Sequence, residues 1–179
     1  NLSSTACRYY PNNDGNNVSA YGYLYNWQAV MHGTNSSTAN PSGVQGICPD
    51  GWHVPSDSEW TQLTNYVSSQ TSYLCNNNNT YIAKALASSM GWNSSSATCV
   101  VGNNPSSNNA TGFSALPAGN IGISNSGASY FGYNASVTFW SATGGNINAF
   151  TRHFDYYIAN VQKPEYNRNY GLSVRCLRD

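Results

Sequence analysis

Apolar residues alternate with polar ones, or recur at helical spacing, in short stretches of this chain that polar loops separate. The clearest stretch follows the Pro-Asp-Gly turn at 49–51, where residues 52–54 alternate as a short strand would, with Trp52 and Val54 on one face. Ser56 and Glu59 then match a capping box, in which each side chain accepts a hydrogen bond from the other's backbone N–H. The pattern predicts a helix behind this cap whose buried side is formed by Trp60, Leu63, Thr64 and Val67.

Residues 170–179 form a second periodic stretch at the other end of the sequence. Leu172, Val174 and Cys176 occupy alternate positions, which predicts a strand with these three side chains directed inward and Leu177 directed outward. Each of the two predicted strands comes with a cysteine. We therefore expect them to be neighbours in one sheet that closes the domain.

Further elements follow from the same periodicities. A second helix is predicted over residues 80–90, with Ile82, Leu86 and Met90 as its apolar stripe and Gly91 as its end. Strands of a mostly antiparallel sheet are predicted over 113–119, 136–142 and 149–156, with a turn at Gly144-Gly145. The Ser- and Asn-rich stretch 92–109 predicts a long irregular loop.

Four aromatic residues stand at strand spacing near the start of the chain: Tyr21, Tyr23, Tyr25 and Trp27. They belong to the first packed element, residues 21–31, in which 27–31 are also compatible with a helix. We expect this aromatic row to serve core and rim packing rather than to form a platform for a ligand.

Composition and charge narrow the function classes. The 179 residues are enough for one domain with a core, and we find no internal repeat or domain boundary. Only 8% of the residues are charged, and seven basic residues balance seven acidic ones. The absence of a basic stripe argues against nucleic acid as a partner, since such binding depends on neutralised phosphates. No apolar run approaches the roughly 20 residues of a membrane span.

The five cysteines favour disulfides over a metal site. No two of them form a C-x-x-C pair and the three histidines are far apart, so zinc has no support from spacing. The expected pairing of the strands at 52–54 and 170–179 predicts a Cys48–Cys176 bond. A Cys75–Cys99 bond would brace the Asn-rich region around the second helix. Such bonds imply an oxidising, extracellular compartment and leave Cys7 unpaired.

Five stretches, taken together and in order, resemble the Fibrobacter succinogenes major paralogous domain family. They are Tyr-Gly-Tyr-Leu-Tyr-Asn-Trp at 21–27, the run Gly-Ile-Cys-Pro-Asp-Gly-Trp-His-Val-Pro-Ser-Asp-Ser-Glu-Trp at 46–60, Gly-Phe-Ser-Ala-Leu-Pro-Ala-Gly at 112–119, Phe-Trp-Ser-Ala-Thr at 139–143, and residues 170–179. The resemblance spans nearly the whole chain. It implies a single α+β domain of residues 1–179 with a C-type-lectin-like fold, in which two helices pack on small, mostly antiparallel sheets with long irregular loops.

Within the C-type-lectin-like fold, the family resembles one branch. This branch includes formylglycine-generating enzymes and the variable proteins of diversity-generating retroelements. The enzymes bind copper through a pair of cysteines in their C-terminal half, whereas Cys176 is the only cysteine after Cys99 here. The calcium-binding tripeptides of sugar-binding C-type lectins are also missing. We therefore expect no catalytic residue, no metal and no cofactor. His53 is expected to be a satisfied structural histidine.

The remaining candidate is a binding surface between residues 144 and 169, where chemically mixed side chains precede the closing strand. Tyr, Asn and His are residues that recognition surfaces favour, and retroelement-diversified relatives vary just here. Alternate side chains of the strand at 149–156 form two sets. We expect the more polar set, with Thr151, His153, Asp155 and Tyr157, to face outward rather than the set that contains Arg152 and Phe154. The predicted ligand-binding residues are Asn146, Asn148, Thr151, His153, Asp155, Tyr157, Glu165, Tyr166 and Arg168.

The sequence thus predicts a non-catalytic ligand- or receptor-binding module of a bacterial surface or phage protein. Its location is expected to be extracellular, on a cell surface or virion, and its partner a protein or glycan on another cell or host surface. Two alternatives stay open: an enzyme of the formylglycine-generating type, and a purely structural surface or pilus module. The sequence indicates neither the ligand nor the oligomeric state.

Overall fold

The computed structural model describes residues 5–124 and 126–179 of the chain. The strands are β1 (Arg8–Tyr9), β2 (Leu24–Tyr25), β3 (Trp52–His53), β4 (Asn120–Ser124), β5 (Gly127–Phe131), β6 (Ser136–Gly144), β7 (Asn148–Asp155), β8 (Glu165–Asn167) and β9 (Leu177–Arg178). The α-helices are α1 (Val18–Tyr21), α2 (Trp27–Met31), α3 (Asp57–Ser69) and α4 (Ala83–Leu86). Short 3-10 turns occupy Pro11–Asn13, Gly15–Asn17, Thr71–Tyr73 and Pro105–Ser107.

The strands pair antiparallel in small sheets. These are β1–β2, β3–β9, β4–β5 and the three-stranded sheet β6–β7–β8. The long strands β6 and β7, of 9 and 8 residues, form the centre of the fold together with the 13-residue helix α3. The described residues thus combine helix with small antiparallel sheets.

Helix α3 begins as predicted. The Ser56 hydroxyl accepts a hydrogen bond from the Glu59 N–H at 3.2 Å, and the Glu59 carboxylate accepts one from the Ser56 N–H at 2.9 Å. This reciprocal pair is the predicted capping box, and it sets the start of the helix. Trp60 and Val67 are buried, which confirms the apolar side of the helix.

Two core clusters lie on opposite faces of β6. Phe139 and Phe154 pack with Trp60 of α3 on one face, and Trp140 packs with Trp27 and Leu172 on the other. Residues 136–143 of β6 are therefore buried on both faces, as in a central strand.

The segment after the Pro-Asp-Gly turn meets the C-terminal segment where β3 pairs with β9, in the register Trp52↔Arg178 and His53↔Leu177. The Cys48–Cys176 disulfide joins the segments directly before these strands, so the predicted bond and the predicted pairing are both confirmed. The cysteines themselves lie outside the strands, contrary to expectation. Trp52 is also 40% exposed and does not share the buried side of Val54, because the strand ends at His53 and the alternation ends with it.

The second predicted bond, Cys75–Cys99, is present as well, and Cys7 has a free thiol. Two disulfides are consistent with an extracellular or secreted protein. Among the helices of the described residues, none is long and apolar enough to cross a membrane.

Several predicted elements differ from the observed ones. The strand predicted over 170–179 is regular only at Leu177–Arg178, and the strand spacing predicted from residue 21 is realised only in β2. Helix α4 ends at Leu86 because Ala87 is extended and Ser88 donates its N–H to the Ala115 carbonyl, so Met90 is 69% exposed and does not continue the apolar stripe. Residues 113–119 make only isolated bridges, and the β4–β5 hairpin that follows them was not predicted. Gly144 belongs to β6, so the turn before β7 begins at Gly145.

His53 lies buried beside the β3–β9 pair, with a carboxylate at each ring nitrogen. Its Nε2 is 2.8 Å from Glu59 Oε1, and its Nδ1 is 2.5 Å from Asp179 Oδ1. Only the doubly protonated ring donates to both oxygens. Burial by itself lowers the pKa of His53, but the hydrogen bonds to Asp179 and Glu59 outweigh it, and the pKa is raised above its usual value.

A folded-state pKa above the unfolded value makes His53 a pH-dependent contribution to stability. The contribution is fully present below the unfolded pKa of about 6.5 and is lost as pH rises through the folded pKa. We expect the urea concentration at the midpoint of unfolding to decrease when the pH is raised from 5.5 to 8.5. This decrease should be larger in the parent than in His53→Gln. An equal decrease of the urea midpoint in the two proteins would contradict this role of the His53 ring.

Candidate functional site

The predicted binding residues do not form one surface, because they are spread along β7 and its neighbours. The strand from Asn148 to Asp155 is about 23 Å long at 3.3 Å per residue. His153, Asp155 and Tyr157 lie at one end of this strand, whereas Asn146, Asn148 and Arg168 lie at the other.

The predicted outward orientation of Thr151 is wrong. Its cross-strand partner is Trp140, and partners in an antiparallel pair share a face, so Thr151 lies on the covered Trp140 side of the sheet. It is fully buried, and its hydroxyl donates to the Pro164 carbonyl at 2.7 Å. The opposite face is covered too, because Arg152 forms an ion pair with Asp57 of α3 at 2.8 Å. Neither face of β7 is therefore free as a whole.

His153 and Asp155 are partly buried at the C-terminal end of β7. The His153 Nδ1 is 2.9 Å from the hydroxyl of Thr138, and its Nε2 is 3.8 Å from Asp155 Oδ2. Tyr157 is 58% exposed and packs its ring edge-on against Tyr156, with the ring centres 5.2 Å apart. At this end only Tyr157 therefore presents most of its side chain to solvent.

Glu165 and Tyr166 belong to the edge strand β8, opposite Phe150 and Ala149. The Glu165 side chain is exposed, whereas Tyr166 is partly buried with its ring 5.5 Å from that of Tyr170. Burial raises the pKa of the Tyr166 phenol. Tyr166 is thus mainly a packing residue here.

Asn146, Asn148 and Arg168 lie together at the N-terminal end of β7. Asn146 is exposed in the β6–β7 turn, Asn148 is paired with Asn167, and the Arg168 N–H donates to the Ile147 carbonyl at 3.0 Å. The Arg168 carbonyl in turn accepts a hydrogen bond from the backbone N–H of Trp27 at 3.0 Å. These bonds attach the loop that carries Arg168 to the turn on one side and to α2 on the other.

The guanidinium of Arg168 lies over the Trp27 ring of α2, with its central carbon 3.8 Å from the ring centre. The Asn26 side chain caps α2 by accepting from the Ala29 N–H at 3.1 Å, which sets the start of the helix that carries Trp27. The Trp27 indole N–H donates to the Ser141 carbonyl at 2.9 Å, which holds the ring in place. The helix ends at His32, which adopts a left-handed conformation with φ 47°. The helix is thus only five residues long, and its Trp27 and Gln28 side chains border the same hollow as Arg168.

This hollow, called here the Arg168 hollow, has a volume of about 350 Å³ and is lined by Ala6, Trp27, Gln28, Met31, His32, Gly33, Thr34 and Arg168. Two buried polar atoms at it have no hydrogen-bond partner: the Arg168 Nε, a donor, and the Gln28 Oε1, an acceptor. Burial lowers the pKa of Arg168, and within the described residues no carboxylate forms an ion pair with it. Buried polar groups without partners cost roughly 1–3 kcal/mol each and are rare in native proteins.

Sequence reasoning identified Arg168 but not the residues that complete the hollow. Trp27 is buried, as its assignment to core packing predicted, yet one of its faces is covered by a cation. No motif or spacing marks Gln28 or His32. They come close to Arg168 only because α2 and the loop after β8 are neighbours in the fold.

No cluster of three or more His, Cys, Asp or Glu side chains suited to a metal ion occurs in residues 5–124 and 126–179. The Arg168 hollow instead offers one cation, one free acceptor and an aromatic wall, which suits the binding of a polar or anionic group.

The comparisons with known proteins give one match. No curated protein and no solved structure gives a significant match to the chain. The family of the Fibrobacter succinogenes major domain matches residues 2–178, nearly the whole sequence. The chain therefore belongs to the Fibrobacter succinogenes major domain family.

Proposed function

We propose that this chain is a non-catalytic ligand- or receptor-binding module of an exported bacterial surface or phage protein, and that the Arg168 hollow is its binding site. The observation that carries the proposal is the pair of buried, unpartnered atoms at the hollow, Arg168 Nε and Gln28 Oε1. One is a donor and the other an acceptor, and both belong to residues that line the hollow.

The charge at the hollow indicates the ligand chemistry. Arg168 has no acidic neighbour within ion-pair distance in the described residues, so it favours an acceptor with negative charge, such as a carboxylate. Gln28 favours a hydroxyl or amide donor next to it. Acidic glycans and protein side chains on another cell or host surface both supply this combination.

The scaffold supports a recognition role. The turn before β7 is attached to the Arg168 loop through the Ile147 carbonyl, and it carries an exposed, adaptable polar side chain, Asn146, beside the largely exposed Ile147. The β3–β9 pair and the Cys48–Cys176 disulfide join the C-terminal segment to the segment before α3, an arrangement compatible with the proposed C-type-lectin-like fold. A reverse transcriptase gene and a near-copy of the DNA for residues 144–179 beside the gene would support retroelement diversification.

The two alternative functions have less support. A formylglycine-generating enzyme needs a cysteine pair in its C-terminal half that is able to bind copper. Cys99 and Cys176 are the cysteines of that half here, and each is disulfide-bonded to another cysteine, Cys75 and Cys48 respectively. A purely structural role does not account for the buried Arg168 Nε and Gln28 Oε1, which have no hydrogen-bond partner.

The test compares two charge-removing variants on a glycan and cell-surface array. Arg168→Gln is expected to weaken binding by roughly 10- to 150-fold, because a hydrogen bond to a charged group contributes about 1.5–3 kcal/mol. Arg178→Gln is the matched control, since Arg178 is an exposed residue of β9 outside the hollow. Both variants should remain folded, which circular dichroism at the assay temperature checks.

Equal binding by the parent and Arg168→Gln to every ligand found would contradict the proposed site. The next candidates would then be the Asn-rich loops at 76–79 and 93–109. Turnover of a Cys-containing peptide together with copper binding would contradict the non-catalytic function itself.

A further inference from the structure

A second hollow lies beside the early aromatic row, on the surface of the fold. Tyr21, at the end of α1, borders it together with Tyr23 and Tyr25, and Leu24 between the latter two is fully buried on the other side of the chain. The hollow has a volume of about 300 Å³, at the lower end of the range for ligand sites. Arg175 and Ser173 of the closing segment also line it.

Arg175 brings a cation to this hollow without a carboxylate to balance it. Its Nη2 donates to the Phe113 carbonyl at 2.9 Å, and its guanidinium stands 4.5 Å from the centre of the Phe113 ring. Within the described part of the chain, its Nε and Nη1 have no protein acceptor and no Asp or Glu pairs with it. Burial lowers the pKa of Arg175, which indicates a cation with incomplete solvation.

The phenol groups add hydrogen-bonding capacity on the other side. Tyr21 donates its hydroxyl to Asn134 at 3.1 Å, whereas the hydroxyls of Tyr23 and Tyr25 donate to no acceptor among the described residues. Tyrosine rings combine an apolar face with a polar tip, so they accept the C–H surface of a saturated ring and its hydroxyl groups at the same time.

We propose that this tyrosine hollow binds a hexuronic acid residue, a sugar that carries one carboxylate. The carboxylate accepts from Nε and Nη1 of Arg175, and the sugar ring rests against Tyr23 and Tyr25 with its hydroxyls at their phenols. No Asp or Glu lines the hollow, so the ammonium group of an amino acid would lack a partner there. A neutral sugar would leave Arg175 unbalanced, and a purely apolar acid would leave the phenols unpaired.

This site is separate from the Arg168 hollow, because no residue lines both. The two proposals can therefore fail independently of each other.

The experiment is calorimetric titration of the parent with trigalacturonate and with its methyl ester. The ester keeps the ring and hydroxyls but removes the charge, so we expect it to bind at least 30-fold more weakly, as for a truncated buried charge pair. Arg175→Gln should lose the acid to the same degree, while the control Arg178→Gln, which removes a charge outside the hollow, should bind like the parent. Equal affinity for acid and ester, no binding of the acid by the parent, or preference for a sulfated trisaccharide would overturn the proposal.

A second variant keeps the test decisive if Arg175→Gln does not fold. The double change Tyr23→Phe and Tyr25→Phe removes two hydroxyl groups that make no protein hydrogen bond as donors, so the fold should be unaffected. We expect affinity for the acid to fall about 5- to 30-fold, with the preference over the ester retained. Unchanged affinity in this variant would overturn the assignment of the tyrosines.

Discussion

Replacing Cys48 and Cys176 together by alanine is expected to lower the free energy of unfolding by about 5 kcal/mol. The bond closes a loop with a sequence separation of 128 residues, and the entropy that a cross-link removes from the unfolded chain grows with the length of the loop. Because small domains are stable by only about 5–15 kcal/mol, this loss is a large fraction of the total. Urea unfolding of the parent and the double variant, both under oxidising conditions, measures the difference.

The second disulfide provides the control for this prediction. Cys75 and Cys99 are separated by only 24 residues, so the same entropy argument gives about 3.5 kcal/mol for the Cys75→Ala/Cys99→Ala variant. A larger loss for the short loop than for the long one would contradict the entropic account and indicate local strain or packing instead.

Trp60→Ala is expected to cost about 3–5 kcal/mol, the usual range for a large aromatic residue removed from a core. Trp60 is only 3% exposed, and its ring lies 5.7 Å from that of Phe139 and 5.8 Å from that of Phe113. Its indole N–H also donates to the Trp140 carbonyl at 3.3 Å, so the substitution leaves both a cavity and an unpaired acceptor in the centre of the fold. The change in unfolding free energy from urea titration is the measurement.

Tyr66→Ala is the matched control on the same helix. Tyr66 is 58% exposed, and substitutions at such positions usually change stability by less than about 0.5 kcal/mol. If Trp60→Ala melted like Tyr66→Ala, α3 would not be packed against β6 and β7 as described.

Elements that depend on local chemistry were predictable from the sequence. The capping box of Ser56 and Glu59 involves groups three residues apart, so its pattern predicted the start of α3 correctly. The disulfide pairs were also predictable, because few cysteines leave few combinations and the closing strand narrows them further. The family, too, followed from motifs that occur in order along the chain.

Features that depend on tertiary packing were not predictable. The alternation in β7 gave two sets of side chains, but both faces of the strand are covered, so polarity did not identify an outward set that includes Thr151. Helix α4 is shorter than its apolar stripe because a bridge between Ala87 and Ala115 draws the chain into an extended form. Such competition between a local pattern and a distant partner leaves no trace in one sequence.

The candidate site was predictable only in part for the same reason. Arg168 was chosen because it stands in a polar segment before the closing strand, and it does border a hollow. Its partners Trp27 and Gln28 lie near the other end of the sequence, in an element assigned to core packing. Both hollows combine residues from the start of the chain with residues from its end, and no periodicity links such positions.

The Cys48–Cys176 bond also determines how the domain would transmit a mechanical load. A pulling force applied at the two ends of the chain would pass from residue 177 through the covalent bridge to residue 47, so residues 49–175 would carry no tension while the bridge is intact. The loaded part is the N-terminal segment, which contributes Trp27 and Gln28 to one hollow and Tyr23 and Tyr25 to the other. Arg168 and Arg175 lie in the shielded loop. Tension would therefore separate each arginine from the N-terminal residues opposite it before the loop closed by the disulfide opened.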